Sequence, residues 1–343
     1  MNVTELLAHV RDEYALSLTA TDVVGGEDEL AVVLHTVSTD GSAFALKASR
    51  DDLSAGALVS AHLAGQGIDA VPAPLPATSG HPWSLLDDAH QVTVTQWARG
   101  RPAARGGMVL NQWRSFGAVL AQIHAARVPA LTRARLPVED YATPAVASVR
   151  SEARLLQSHG VGRGTGNNDP LVSALTHRWL EVSDSVLVIA DQTEALGREL
   201  RGRATPLVLT HGDAHLFNVV VDDDPPALSL IDWGGTALAP RERDLMFVIG
   251  GVLTQAPVTT DEQSSFFAGY GDGAGEVDPM RLTYYRCSWA VQDVASYAAQ
   301  VLDESRPQPQ RVHALRLFTD LFEPTGIVTT TLESLRWIGW TGQ

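Results

Sequence analysis

Apolar residues recur along this chain at two spacings, and the spacing changes roughly a third of the way in. From Thr4 to Ala15, Leu6, Leu7, Val10 and Tyr14 form a stripe at helical spacing. Gly25 and Gly26 mark a turn. Two alternating runs follow, Leu30 to Val37 and Ser42 to Ser49, separated by Asp40-Gly41, a pattern that predicts a β-hairpin with Lys47 near the end of its second strand. The Ala- and Leu-rich stretch from Asp52 to Gly65 predicts a helix. A Pro-rich loop, VPAPLP, then leads to two more strand candidates, His81 to Asp88 and Gln91 to Trp97.

After Arg99-Gly100 the texture becomes helical. Leu110, Trp113, Gly117, Leu120 and His124 share one face. Tyr141 to Leu200 offers two or three helices broken by GVGRGTGNNDP. Those glycines follow no β-run and match no phosphate-loop spacing, so they read as a connector. A strand-loop-strand block follows, LVLTHGDAHLFNVVV with LSLIDW, then further helices to about Phe322, with the last twenty residues ambiguous. The expectation is an α/β (α+β) protein in two parts, a sheet-rich 1–97 and a larger, mainly helical 98–343, with a short hairpin at their junction.

Composition narrows the function classes. A net charge of −15 disfavours nucleic-acid backbones and anionic membranes and suits a cationic ligand. No apolar run is long enough to span a bilayer, and the first residues lack the basic-then-apolar order of a signal peptide. The single cysteine, Cys287, excludes an internal disulfide framework and fits a reducing cytoplasm. Of the 25 basic residues, 24 are arginine and one, Lys47, is lysine. The two are interchangeable on most surfaces but not where a compact ammonium on a flexible stem is needed, which singles out Lys47.

The chemistry concentrates between Leu209 and Asp244. His211-Gly212-Asp213 is followed by Asn218, five residues beyond the aspartate, and then by a strand ending in Ile231-Asp232-Trp233-Gly234. Phosphoryl transfer in kinases needs a base for the attacking hydroxyl, an Asn on the metal and a second Asp on the metal, at the spacing His-x-Asp-x-x-x-x-Asn. HGDAHLFN fits it without a gap. His211 and His215 around Asp213 also admit a metal-hydrolase reading, but zinc wants three or four convergent N or S ligands and no second His pair flanks the block.

These segments resemble the catalytic core of the aminoglycoside phosphotransferase and choline kinase family, which is similar to protein kinases in fold. HGD-x-x-x-x-N and I-D-W stand in the family's order. GGEDELAVVLHTVSTDGSAFALKAS resembles its nucleotide-covering hairpin and lysine strand, TQWARGRP its hinge, and PRERDL the segment carrying an anchoring aspartate. The resemblance covers roughly residues 20 to 250 and implies a two-lobed protein-kinase-like fold. It implies that Asp213 is the catalytic base, that Asn218 and Asp232 bind Mg2+, and that Lys47 holds the α- and β-phosphates of ATP or GTP. Gly25 and Gly26 would cover the nucleotide, and Gln96, Trp97 and Ala98 would meet its base. His211 and Asp244 would be structural. One departure stands out: the helix acid that usually pairs with the lysine matches Gly56, so either Asp52, one turn back, substitutes for it or Lys47 is held differently.

Farther on, Tyr285, Trp289, Asp293 and Tyr297 recur every four residues from about Pro279 to Leu302. From Gln255 to Ser305 eight acidic residues stand against Arg281 and Arg286. Aromatic walls and a carboxylate suit an amine-bearing acceptor, while the plainer reading is a helix buried on two sides. The leading expectation is a phosphotransferase acting on a hydroxyl of a small cationic acceptor, such as an aminoglycoside or aminocyclitol antibiotic. Its alternatives are a housekeeping kinase for choline, ethanolamine, an amino acid or a sugar, and a catalytically silent nucleotide-binding protein. Oligomeric state is not readable.

Overall fold

The computed structural model describes residues 2–24, 31–161, 169–223, 226–253, 256–271 and 277–339. The chain divides into two compact units. The first comprises Met1–Val138, Leu207–Ala239 and Ser264–Gly273, the second Glu139–Pro206, Pro240–Gln263 and Ala274–Gln343.

In the first unit, helix α1 (Val3–Tyr14) precedes strands β1 (Leu18–Val24), β2 (Ala31–Ser38) and β3 (Ala43–Ser49). Helix α2 (Ser54–Gly65) and strands β4 (Ser84–Leu85) and β5 (Gln91–Gln96) follow. Among the described residues these strands form a five-stranded antiparallel sheet in the order β1-β2-β3-β5-β4. Period-two alternation gives the sheet two different faces. Leu34, Leu46, Val92 and Val94 point to one side and make a buried core with Leu6 and Val10 of α1. The other parity carries Val33, Lys47 and Thr93 in one cross-strand row and His35, Ala45 and Thr95 in the next. The predicted hairpin is thus present, with Lys47 on the face opposite α1.

Two strands differ from the pattern reading. Strand β1 lies at the sheet edge with its register shifted between Ala20 and Asp22, and this irregularity hides the alternation that would have announced it. Only Ser84 and Leu85 of the run His81 to Asp88 pair as a strand. Pro82 has no amide to give, and Asp87 turns the chain by accepting the Ala89 and His90 N–H groups at 2.7 Å each.

The rest of this unit holds β6 (Arg101–Pro102), α3 (Leu110–Ala125), α4 (Ala130–Arg133), β7 (Val208–Thr210), β8 (Val219–Asp223), β9 (Pro226–Leu230), a 3-10 turn at Trp233–Gly235, and β10 (Ala237–Ala239). Strands pair as β6-β8-β9 and as β10-β7.

The second unit is helical: α5 (Ala145–Val161), α6 (Pro170–Arg201), α7 (Glu242–Leu245), the start of α8 (Thr260–Tyr270), α9 (Pro279–Leu302), α10 (Gln308–Asp320) and α11 (Ile327–Trp337). Aspartates cap the two longest helices, Asp169 at α6 and Asp278 at α9, each accepting two backbone N–H groups and each followed by proline. The ambiguous last segment is helix α11, which buries Ile327, Val328 and Leu335. Most of the glycine-rich connector after α5 lies outside the described residues. Among the described residues, no helix is long and apolar enough to cross a membrane.

Candidate active site

Strand β7 delivers the chain to His211-Gly212-Asp213. Gly212 adopts φ 81°, a left-handed conformation that favours glycine, and this reverses the backbone so that Asp213 leaves the sheet edge. His211 is fully buried. Its Nδ1 accepts the Asp213 N–H at 3.3 Å, which leaves Nε2 as the protonated nitrogen, 3.0 Å from the Ile231 carbonyl that it donates to. Both ring nitrogens are therefore engaged with backbone, which assigns His211 to the loop's frame rather than to a zinc site. Asn218 Nδ2 donates to both the Asp213 carbonyl and Asp213 Oδ2, each at 2.8 Å. That pair of bonds fixes the carboxylate and turns the amide so that its nitrogen is used internally. His215 Nε2 lies 3.5 Å from Asp213 Oδ1 and from Asn218 Nδ2.

The β8–β9 hairpin brings the second aspartate alongside. Val219 pairs with Leu230 in its register, and the Ile231 N–H donates to the Asn218 carbonyl at 2.9 Å. Asp232 therefore follows directly on the residue bonded to Asn218. It takes φ 60°, uncommon for a non-glycine residue, and begins the 3-10 turn Trp233–Gly235. A Cβ added to Gly235 would lie 3.3 Å from Asp213 Cβ, the Gly212 carbonyl carbon and the His211 oxygen. This glycine lets the turn pack against the Asp213 loop. Lys47, reaching from β3, donates to Asp232 Oδ1 at 2.9 Å. Lost hydration opposes ionisation of Asp232, but the Lys47 ammonium, its hydrogen bond and the Gly234 N–H hold the carboxyl below its usual range.

The helix after β3 begins at Ser54, with Leu53 as its N-cap. Asp52 thus precedes the first turn of α2 instead of standing one turn back on its face. Its Oδ1 accepts the Ser54 N–H at 2.9 Å, closing a local turn, and bonds from Ser54 keep its carboxyl below the ordinary range. At Gly56, where an acid was expected by resemblance, a Cβ would sit 2.5 Å from the Trp233 carbonyl oxygen. No side chain fits there unless the two backbones part.

Gln96 ends β5 opposite Phe44, and the Trp97 N–H donates to the Ala43 carbonyl at 3.0 Å. The Trp97 ring meets His35 edge-on at 4.5 Å, and Ala98 is half-buried. Gly25 and Gly26 lie outside the described residues. Asp244 is fully buried in α7 of the second unit. On α9 of that unit, Tyr285 and Tyr297 are buried at 4% and 8% exposure, whereas Trp289 and Asp293 remain half-buried. Tyr285 donates to Glu139 at 3.1 Å, and burial, with that carboxylate, pushes its phenol pKa up. The Trp289 ring packs edge-on against Phe247 at 4.8 Å. The helix is continuous as its periodicity predicts, but half of the aromatic stripe is core.

Two residues beside this site escaped the motif reading, Gly235, whose role is the space it leaves, and His35, whose strand position places it on the Lys47 face; the resemblance marks Gly56 only as a missing acid, not as a close approach. Strand parity was the available signal for His35; nothing local in sequence marks the close approach of a glycine to a residue far along the chain.

Residues 37–289 match the phosphotransferase enzyme family, APH. The chain belongs to that family. The mixed α/β, protein-kinase-like fold follows, and this phosphotransferase is a small-molecule kinase. Among solved structures it is similar to spectinomycin phosphotransferase APH(9)-Ia bound to ADP and spectinomycin, with 26% identity, TM-score 0.81, and coverage of 96% of this chain and 98% of that one. It shares its fold with amicoumacin kinase hAmiN, at 15% identity and TM-score 0.62 over 95% of each chain. Among curated relatives it is 24% identical over 244 residues to Protein StrN of Streptomyces griseus, covering 71% of this chain and 68% of that protein.

Asn218 and Asp232 offer an amide and a carboxylate on adjoining backbone, a hard-oxygen set that fits Mg2+. Among the described residues, no group of three or more His, Cys, Asp and Glu forms a metal cluster. Mg2+ does not require one, because phosphates and water complete its shell.

Proposed function

We propose that this phosphotransferase moves the γ-phosphoryl group of ATP to a hydroxyl of an aminocyclitol antibiotic of the spectinomycin kind. The observation that carries the reading is the 26% identity, along essentially the whole of both chains, to an enzyme seen with ADP and spectinomycin. It is supported by the Asp213 carboxylate, fixed by Asn218 beside the Lys47–Asp232 pair.

In this reading the acceptor hydroxyl attacks the γ-phosphorus, its proton passes to Asp213, and the β–γ bond breaks to release ADP. Asn218 and Asp232 would hold Mg2+, which supplies charge neutralisation at the phosphate oxygens. Lys47 leaves Asp232 Oδ1 for the α- and β-phosphates. Gln96, Trp97 and Ala98 present backbone to the base, and Gly25 and Gly26 belong to the covering hairpin. Residues 1–97 thus serve the nucleotide, and 98–343 serve catalysis and the acceptor. Trp289 and Asp293 contact a cationic acceptor directly; Tyr285 and Tyr297 brace them from within. His211, Asp244 and Asp52 support the site. The acidic balance and the buried Cys287 agree with work in a reducing cytoplasm without a nucleic-acid or membrane partner.

The test is ADP release from ATP or GTP with spectinomycin, aminoglycosides, choline and ethanolamine, each with Mg2+ and with chelator. Mg2+-dependent turnover of spectinomycin, and resistance conferred on a sensitive bacterium, are expected. Turnover of choline or ethanolamine alone would move the enzyme to housekeeping metabolism. Mg2+-dependent nucleotide binding with no turnover on any acceptor would leave a silent binding protein.

A further inference from the structure

Helix α2 carries Gly56 in its first turn, where most residues would favour the helix more. Space is the reason. A Cβ there would lie 2.5 Å from the Trp233 oxygen, 2.9 Å from its carbonyl carbon and 3.2 Å from its Cβ. These contacts are with backbone and a Cβ, not with the yielding tip of a long side chain.

Trp233 is itself fixed on every side. Its carbonyl accepts the Thr236 N–H at 3.2 Å and its indole N–H donates to the Leu230 carbonyl at 3.1 Å. Its ring meets the buried His211 edge-on at 4.6 Å. Two residues on, Gly235 brings the turn against the Asp213 loop. The turn that displays Asp232 is therefore clamped between the backbone of α2 and the backbone of the catalytic loop. Nothing in it is free to slide without moving one or the other.

We propose that Gly56 is a positioning residue: its missing side chain seats α2 on the Trp233 carbonyl and so holds Asp232 in its left-handed conformation, aimed at the metal and at Lys47. The absence of an acid on α2 is then not a lost function. The helix acts on the lysine through Asp232, by backbone contact, instead of by a carboxylate of its own. The inference rests on reading Asp232 as a metal ligand.

The experiment is calorimetric titration of ADP, with Mg2+ and with EDTA, for the native protein, Gly56→Ala and the control Ala61→Gly. Helix propensity alone would make Gly56→Ala more stable and Ala61→Gly less so. We expect Gly56→Ala to lose roughly 10–100-fold of the Mg2+-dependent gain in ADP affinity, the scale seen when outer support of a metal ligand is removed. Its affinity in EDTA should not move, and Ala61→Gly should keep the full gain. Hydrogen exchange on the native protein gives a second readout should Gly56→Ala not fold. Amides of residues 56–60 should exchange more slowly with Mg2+·ADP than with ADP and EDTA. A folded Gly56→Ala with the native gain, or exchange in 56–60 indifferent to Mg2+, overturns the inference and leaves the reading of Asp232 standing. A native protein with no Mg2+ gain overturns that reading, and this one with it.

Discussion

The turn at Asp232 and the aromatic face of α9 both carry chemically suggestive side chains at fixed spacing, but the two are held in opposite ways. At the turn, the chemical groups are held by backbone. Asn218 bonds the Asp213 carbonyl, His211 bonds Ile231, and Gly56 and Gly235 admit neighbouring main chain. On that frame Lys47 bonds Asp232 and Asn218 bonds the Asp213 carboxylate, and these are the side chains proposed to meet the ligand. On α9 the side chains do the holding: Tyr285 is buried against Glu139, and Trp289 packs on Phe247. A site whose frame is main chain can spend its side chains on chemistry. A helix that must also seal a core can spare only part of a stripe; the half-buried Asp293, and Trp289 beside its packing on Phe247, are the part we propose for the acceptor.

The largest effect that would break this contrast is at Asp213. Asp213→Ala should lower kcat by roughly 10²–10⁴-fold, the usual contribution of a general base. Nucleotide affinity measured by calorimetry should be unchanged, because the frame is backbone. Next is Lys47→Ala, which removes a charge-assisted hydrogen bond of about 1.5–3 kcal/mol. ATP affinity should fall by roughly 10–100-fold. Lys47→Arg should not restore it, since a planar fork replaces a compact ammonium.

The two halves of the α9 stripe should then separate. Asp293→Asn should raise KM for a cationic acceptor with kcat little changed, the mark of lost ground-state binding. Tyr285→Phe should leave that KM alone and cost about 1.5–3 kcal/mol of stability in denaturant unfolding, the worth of a hydrogen bond to a charged group. Equal KM effects from both would erase the distinction.

The smallest effect concerns Glu152 on α5, whose Oε2 is buried with no hydrogen-bond partner among the described residues and whose pKa burial pushes up to about 8. A carboxyl neutral in the fold but ionised when unfolded binds its proton more tightly in the native state. Stability should therefore fall as pH rises from about 4.5, the unfolded value, towards about 8. Glu152→Gln should flatten that slope, with a higher Tm than native above pH 8 and little difference near pH 4.

Much of the molecule was legible before the fold was known. HGD-x-x-x-x-N and I-D-W fixed the hairpin and its loop because each residue has a local duty, such as the turn at Gly212 or the amide of Asn218 returning to Asp213. Helix α9 was legible from its period. The partner of Lys47 was not. The resemblance points to an acid near α2, yet Asp52 turns back on Ser54 and the lysine meets Asp232. That pairing is set by sheet register and by the approach of α2 to Trp233, both of which join residues remote in sequence. Nor does periodicity say which side of a stripe is covered, so Tyr285 and Trp289 read alike until their neighbours were known.

The central claim is that Asp213, framed by backbone, delivers a hydroxyl to the γ-phosphate. Its most direct measurement is mass spectrometry of spectinomycin after incubation with ATP, Mg2+ and either native protein or Asp213→Ala. One added phosphoryl group per antibiotic, matched by ADP, is expected with native protein, and almost none with the variant at equal nucleotide binding. Phosphorylated product formed equally by both, or ADP released as simple hydrolysis with the antibiotic unchanged, would contradict it.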